Sequence, residues 1–153
     1  MQVHRDPYNL PKFNNPVVTI GSFDGVHRAH LKILDRVLSL ADEIDGESIL
    51  VTFHPHPRKI IFPKDDTLQL LNTLEEKLFI LNSIGLDHVV IVPFSVEFSQ
   101  QNPREYIEKF LIDKFDPRYI VIGYDHRFGL NRGGNIDLLK QYNEQFGIIQ
   151  IQR

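Results

Sequence analysis

The sequence predicts an α/β fold, a doubly wound and mostly parallel five-stranded sheet with helices on both faces. Three observations lead to it. Five short apolar runs are rich in β-branched residues and nearly continuous, as strands buried on both faces are. The segments between them carry helical periodicity, so strand and helix alternate along the chain. The residues capable of chemistry collect after the carboxyl ends of those runs.

The first strand, Val17–Ile20, runs into the turn Gly21-Ser22-Phe23-Asp24-Gly25-Val26-His27-Arg28-Ala29-His30. Residues 28–44 then set Leu31, Leu34, Val37, Leu38, Ala41 and Ile44 on one helical face. The second strand, Ile49–Phe53, leads to His54-Pro55-His56-Pro57-Arg58-Lys59. Residues 74–84 repeat the helical pattern through Leu74, Leu78, Leu81 and Ile84, and Gly85 suits their C-cap. Val89–Val92 is the third strand, followed by Pro93-Phe94-Ser95. A helix over 103–115 opens on Pro103, whose fixed φ suits a first turn. Tyr119–Ile122, the fourth strand, precedes a polar loop from Gly123 to Gly134, which holds Asp125, His126, Arg127 and Phe128. A helix over 135–146 and the strand Ile148–Ile151 complete the Rossmann-like series. With no repeat, low-complexity tract or linker, residues 1–153 read as a single domain.

Composition narrows the function. A chain of 153 residues, 42% hydrophobic and 24% charged, can bury an ordinary core. The absence of cysteine excludes disulfides and thiolate metal sites and favours an intracellular, cytoplasmic location. No apolar stretch approaches the ~20 residues of a membrane span, and the opening MQVHRDPYNLPKFNNP lacks a signal-peptide core. A net charge of −3 argues against bulk attraction to nucleic acid. Any anion must therefore be caught locally.

Five of the 7 histidines lie in the loops after the first, second and fourth strands, together with Arg28, Arg58, Arg127 and Arg132. His27 and His30, three apart, share one face of a helix starting near Val26. That helix would also present unpaired backbone N–H groups and its positive dipole end, a combination suited to phosphate. Gly21 and Gly25 would let backbone approach a ligand closely. An ordinary turn capped by Ser22 or Asp24 is the plain alternative. A metal is a third, poorly supported by two histidines without further ligands. Likewise the proline-bracketed loop reads equally as a rigid connection, and the loop around Asp125 as a helix-leading turn.

Neither a Walker loop nor the GxGxxG fingerprint is present. Instead GSFDGVHRAH resembles the turn of HxGH-type nucleotidyltransferases. With VTFHPHP and GYDHRFG, the chain is most similar to the FMN adenylyltransferase module of bacterial FAD synthetases. The resemblance implies an enzyme of FAD biosynthesis that uses ATP and FMN with Mg²⁺ held through the nucleotide phosphates. It gives His27 and His30 a catalytic role on the ATP phosphates and puts Gly21, Ser22, Phe23, Asp24 and Gly25 around the nucleotide. Pro55, His56, Pro57, Asp125, Arg127 and Phe128 fall on its flavin side, with no protein metal site. A riboflavin kinase module usually follows in that family; neither nucleic acid nor membrane is implied as a partner. Two departures stand out: Ala29 replaces a Gly, and the sequence stops at Arg153, before a Ser/Thr- and Arg-containing segment. The domain is therefore expected to be cut short at its C-terminal end, and to bind flavin better than it transfers AMP.

The chemistry fits those residues. A phosphate monoester, with a second pKa of about 6, is largely dianionic at neutral pH and needs no general base. What its attack on ATP needs is alignment and charge neutralisation. Transfer to another phosphorylated acceptor, or a non-catalytic flavin- or nucleotide-binding module, would draw on the same side chains.

Overall fold

The computed structural model describes residues 1–64 and 72–152. Six strands, all parallel, form one sheet: β1 (Gln2–His4), β2 (Pro16–Ile20), β3 (Glu47–His54), β4 (His88–Pro93), β5 (Tyr119–Gly123) and β6 (Gly147–Ile151). Their order is β1-β4-β3-β2-β5-β6. The sheet thus has six strands where the sequence predicts five, and no antiparallel member. The additional one is β1, at the edge beside β4. Its three residues carry a single β-branched side chain and stay largely exposed, so no apolar run announces it. What holds it is tertiary: His4 Nε2 and His88 Nδ1 share a hydrogen bond of 3.0 Å, and both rings pack against Phe13.

The described helices are α1 (Arg28–Glu43), α2 (Pro57–Ile61), α3 (Leu74–Ile84), α4 (Val96–Ser99), α5 (Pro103–Glu105), α6 (Asp113–Phe115) and α7 (Ile136–Lys140). A π-helical stretch, Tyr106–Ile112, joins α5 to α6, so the expected helix over 103–115 exists with a widened middle. The expected helix over 135–146 is shorter. Beyond Lys140 the chain tightens into i→i+3 turns, such as Gln141 N–H to Leu138 O, and turns Tyr142 and Phe146 into the core.

Strand alternation divides the core in two. Val18, Ile20, Ile49, Val51, Ile120 and Ile122 face the Tyr106–Phe115 helix and α7. Val17, Leu50, Val89, Ile91 and Val121 face α1 and α3. Period-2 side chains leave no strand face for water, which is why the runs read as continuous rather than alternating. From β2 the chain winds outward through β3 and β4, then returns to β5 on the other side. The strand order therefore reverses between β2 and β5, where a crevice opens at the carboxyl ends.

Candidate active site

The turn after β2 is folded against its backbone preferences. Phe23 (φ 50°), Gly25 (φ 79°) and Val26 (φ 41°) all lie in the left-handed region. Glycine enters it freely, whereas a β-branched valine does so at a cost of about 1–3 kcal/mol. The distortion turns Phe23 and Val26 inward, where both are buried beside α1. Gly21 makes room for that arrangement, since a Cβ there would stand 2.8 Å from Phe23 Cε2. The space it clears is filled by Phe23 itself.

Phe23 in turn supports the histidines. Its ring lies 4.5 Å from that of His30, which stacks on His27 at 3.8 Å and 25°. His27 is the N-cap of α1, and its backbone N–H donates to His30 Nδ1 at 3.3 Å. This bond makes Nδ1 the acceptor and leaves the ring proton on Nε2. Burial, followed by the neighbouring His27, pushes the His30 pKa down to about 4. His30 is therefore a neutral N–H donor at pH 7, beside the open end of a helix. Neither Ser22 nor Asp24 caps α1. The Ser22 carbonyl accepts from Lys77 Nζ at 2.8 Å, and Asp24 Oδ1 accepts from the Asn72 N–H at 3.1 Å.

Two cavities open along the strand ends. The first, of about 610 Å³, lies at the β2–β5 reversal; Gly21, Ser22, Phe23, His27 and His30 line one side of it. Gly123, Tyr124, Asp125 and His126 line the other, and Ile151 and Gln152 extend it from β6. Ala29 faces it too, so its methyl occupies part of the space beside the helix start. Burial holds the His126 pKa down at about 4, so this imidazole is neutral as well.

The second cavity, of about 460 Å³, is walled by Ser22, Asp24, Phe53, His54, His56 and the start of α3. His56 repeats the device seen at His30. As N-cap of α2 it accepts the Arg58 N–H at Nδ1, 3.1 Å away, which leaves its proton on Nε2. Burial lowers its pKa. Ser22 belongs to both cavities, which therefore meet at the turn after β2.

The three motif loops thus lie on one rim of the sheet, divided between adjoining cavities. Asp125 sits with His27 and His30, not with His56. Pro55 and Pro57 flank His56, the first through a cis His54–Pro55 bond and the second as the opening residue of α2. Gly25 shapes the turn without lining either cavity. Arg127 is exposed. Phe128 is a core residue, 5% exposed and stacked on Tyr106 at 4.9 Å. Its loop is closed by paired bonds with Gly134, of 3.2 and 2.8 Å.

Sequence reasoning missed the aromatic trio Phe53, Phe94 and Phe98, whose rings lie 5.5–5.6 Å apart beside the second cavity. Phe53 closes one apolar run and Phe94 stands just past the proline that ends another, so both read as strand ends. It also missed Lys77, which the helical pattern of 74–84 absorbs.

A model of the FAD synthetase family matches residues 10–152. The chain belongs to the FAD synthetase family. It is similar to the bifunctional riboflavin kinase/FMN adenylyltransferase of Buchnera aphidicola subsp. Acyrthosiphon pisum (strain APS), 34% identical over 99% of this chain and 49% of that protein. The protein of the same description from Escherichia coli (strain K12) is 31% identical over 86% of this chain and 42% of its own. The chain spans about half the length of the curated relatives it matches. Among solved structures, a Streptococcus pneumoniae protein described as a macrolide-efflux protein superposes with a TM-score of 0.85 at 21% identity, over 99% of this chain and 50% of that one. A pantoate-beta-alanine ligase from Francisella tularensis gives 0.59 at 15%, over 99% and 67%. At such identities the likeness is one of fold, and it places this FAD synthetase domain among α/β Rossmann-like proteins. No helix among the described residues is long and apolar enough to cross a membrane.

Proposed function

We propose that this chain transfers AMP from ATP to FMN, giving FAD and pyrophosphate. The observation that carries the reading is the adjoining pair of cavities, with the His27–His30 helix start in one and His56 with Phe53 in the other. ATP is assigned to the first cavity, its phosphates toward His27, the Nε2–H of His30 and the first turn of α1. The turn Gly21–Gly25 encloses the nucleotide, and Asp125 lies across the cavity from the histidines. FMN is assigned to the second, where its ring meets Phe53 and the Pro55-His56-Pro57 loop. Arg127, exposed on the same rim, is left to meet a ligand phosphate; Phe128 supports the loop from within.

A phosphate oxygen of FMN attacks the α-phosphorus of ATP. The new P–O bond forms as the bond to the bridging oxygen breaks, and pyrophosphate departs with that electron pair. Because the attacking dianion needs no base, the protein's task is to hold two anions in line. Neutral histidine donors suit this, since a hydrogen bond to phosphate needs no prior protonation of the ring. Mg²⁺ would be held mainly through phosphate oxygens, where it neutralises charge on the leaving group. Among the described residues no group of three or more His, Cys, Asp or Glu could hold a metal ion. A cytoplasmic location and a riboflavin kinase module supplying FMN complete the reading.

The test mixes the protein with ATP, Mg²⁺ and FMN and follows FAD and pyrophosphate together. Equal amounts of both are expected. Transfer to a different phosphorylated acceptor, with none to FMN, would overturn the acceptor. Binding of ATP and flavin without any transfer would favour the non-catalytic module.

A further inference from the structure

Lys77 occupies a position that local preference disfavours. It is the fourth residue of α3, at the end of the first turn, where the helix dipole repels a cation. It is also only 8% exposed, and burial lowers its pKa, opposed by the nearby Asp24 carboxylate. A lysine placed against both propensity and solvation has to be held by tertiary contacts. Those contacts are specific: Nζ donates to the Ser22 carbonyl at 2.8 Å and to Thr52 Oγ1 at 3.0 Å. Thr52 is itself wholly buried, and its hydroxyl donates to the same carbonyl at 3.3 Å.

Ser22 is the residue the two cavities share, and Lys77 lines the second of them. Its ammonium therefore sits at the seam, with two of its three N–H groups engaged among the described residues. The titratable groups of other elements around this seam are Asp24, His54, His56 and Lys59, which line the second cavity, and His30, which lines the first; Glu75 and Glu76 line the second from α3 itself. Burial keeps His30 and His56 neutral, and among the described residues Lys77 is the buried cation there. Arg28, Arg58 and Lys59 are exposed, so solvent and salt screen their charge.

We propose that Lys77 is the positioning cation of the seam, fixing the turn after β2 through Ser22 and holding positive charge where the acceptor phosphate meets the triphosphate. The inference rests on the adenylyl-transfer reading. Two anions brought to bonding distance repel one another, and a preorganised charge between them offsets that repulsion without reorganising during the reaction.

The test separates charge from scaffold by comparing ligands with and without phosphate. Affinities of FMN, riboflavin, ATP and adenosine are measured by calorimetry for the parent, Lys77→Met, Lys77→Gln and Lys77→Arg, with thermal unfolding reporting that each variant folds. The parent is expected to prefer the phosphorylated member of each pair. Lys77→Met and Lys77→Gln should lose about 10- to 100-fold of that preference for FMN, the range of one hydrogen bond to a charged group. Riboflavin affinity should stay the same, and Lys77→Arg should keep most of the preference. Equal loss of FMN and riboflavin binding would mean a scaffold role and overturn the proposal. So would an unchanged preference in both neutral variants. A parent that binds ATP but no flavin would overturn the FMN assignment instead, and the ATP–adenosine pair then reads Lys77 by itself. Should neither neutral variant fold, Lys77→Arg decides alone: a preference largely kept supports a charge at this position, and a preference lost with the fold intact overturns it. A parent that binds none of the four ligands overturns both ideas.

Discussion

The chemistry of the first cavity turns on which form His30 takes. Its Nδ1 accepts from the His27 N–H and burial holds its pKa near 4, so the group offered to a ligand is a neutral Nε2–H. Replacing His27 or His30 with Ala is expected to lower AMP transfer by ~10²–10³-fold, the cost of removing one preorganised donor. FMN affinity, measured by calorimetry, should change little. Since His30 stays neutral through the ordinary histidine pKa of about 6.5, it should add no step of its own there: the ratio of kcat/KM for ATP between parent and His30→Ala should stay flat through that pH. A rise on acidification through that value would mean that the imidazolium is the binding form. Gly21 tests the same chain of contacts from behind. Gly21→Ala drives Phe23 off its place 4.5 Å from His30, so ATP affinity should fall while flavin affinity is kept.

At the scale of elements, helix starts do the positioning. Two of the site histidines are locked by helix-start hydrogen bonds, His30 in α1 and His56 as N-cap of α2. α3 begins with a capping box, in which Thr73 Oγ1 accepts the Glu76 N–H at 3.1 Å and Glu76 accepts the Thr73 N–H at 3.2 Å. Since α3 carries Lys77 to the seam, Thr73→Ala should cost about 1 kcal/mol and lower Tm by about 2–4 °C, as differential scanning calorimetry would show. α1 and α3 are legible in the sequence because their apolar stripes, and for α3 its Gly85 C-cap, are local signals. The short α2 and α4 are not: helices of five and four residues carry no periodicity, and beyond their His56 and Ser95 N-caps they depend on tertiary contact.

For the whole molecule, the same half-buried imidazoles that suit the site make the fold sensitive to acid. His30 and His126 have folded pKa values of about 4, below the ordinary histidine value of 6.5. The unfolded chain thus binds more protons between those values, and stability falls as pH drops from 6.5 toward 4. Glu47 adds to this at the low end. Burial raises its pKa, but hydrogen bonds from His88 and the Asn14 N–H outweigh that, so its contribution is lost below the ordinary carboxylate pKa. Tm measured across that range should decline on acidification, and His126→Gln should flatten the decline; a flat parent profile would contradict it. The sequence by itself determined the α/β class, five strands, the main helices and the rim on which the chemistry collects. These follow from apolar periodicity and turn chemistry, which act over a few residues. The tertiary structure alone decided the sixth strand, the core position of Phe128 and the separation of Asp125 from His56. It also decided the placement of Lys77 on Ser22, 55 residues away. Each depends on segments distant in the chain meeting in space, and a one-dimensional pattern carries no record of such a meeting.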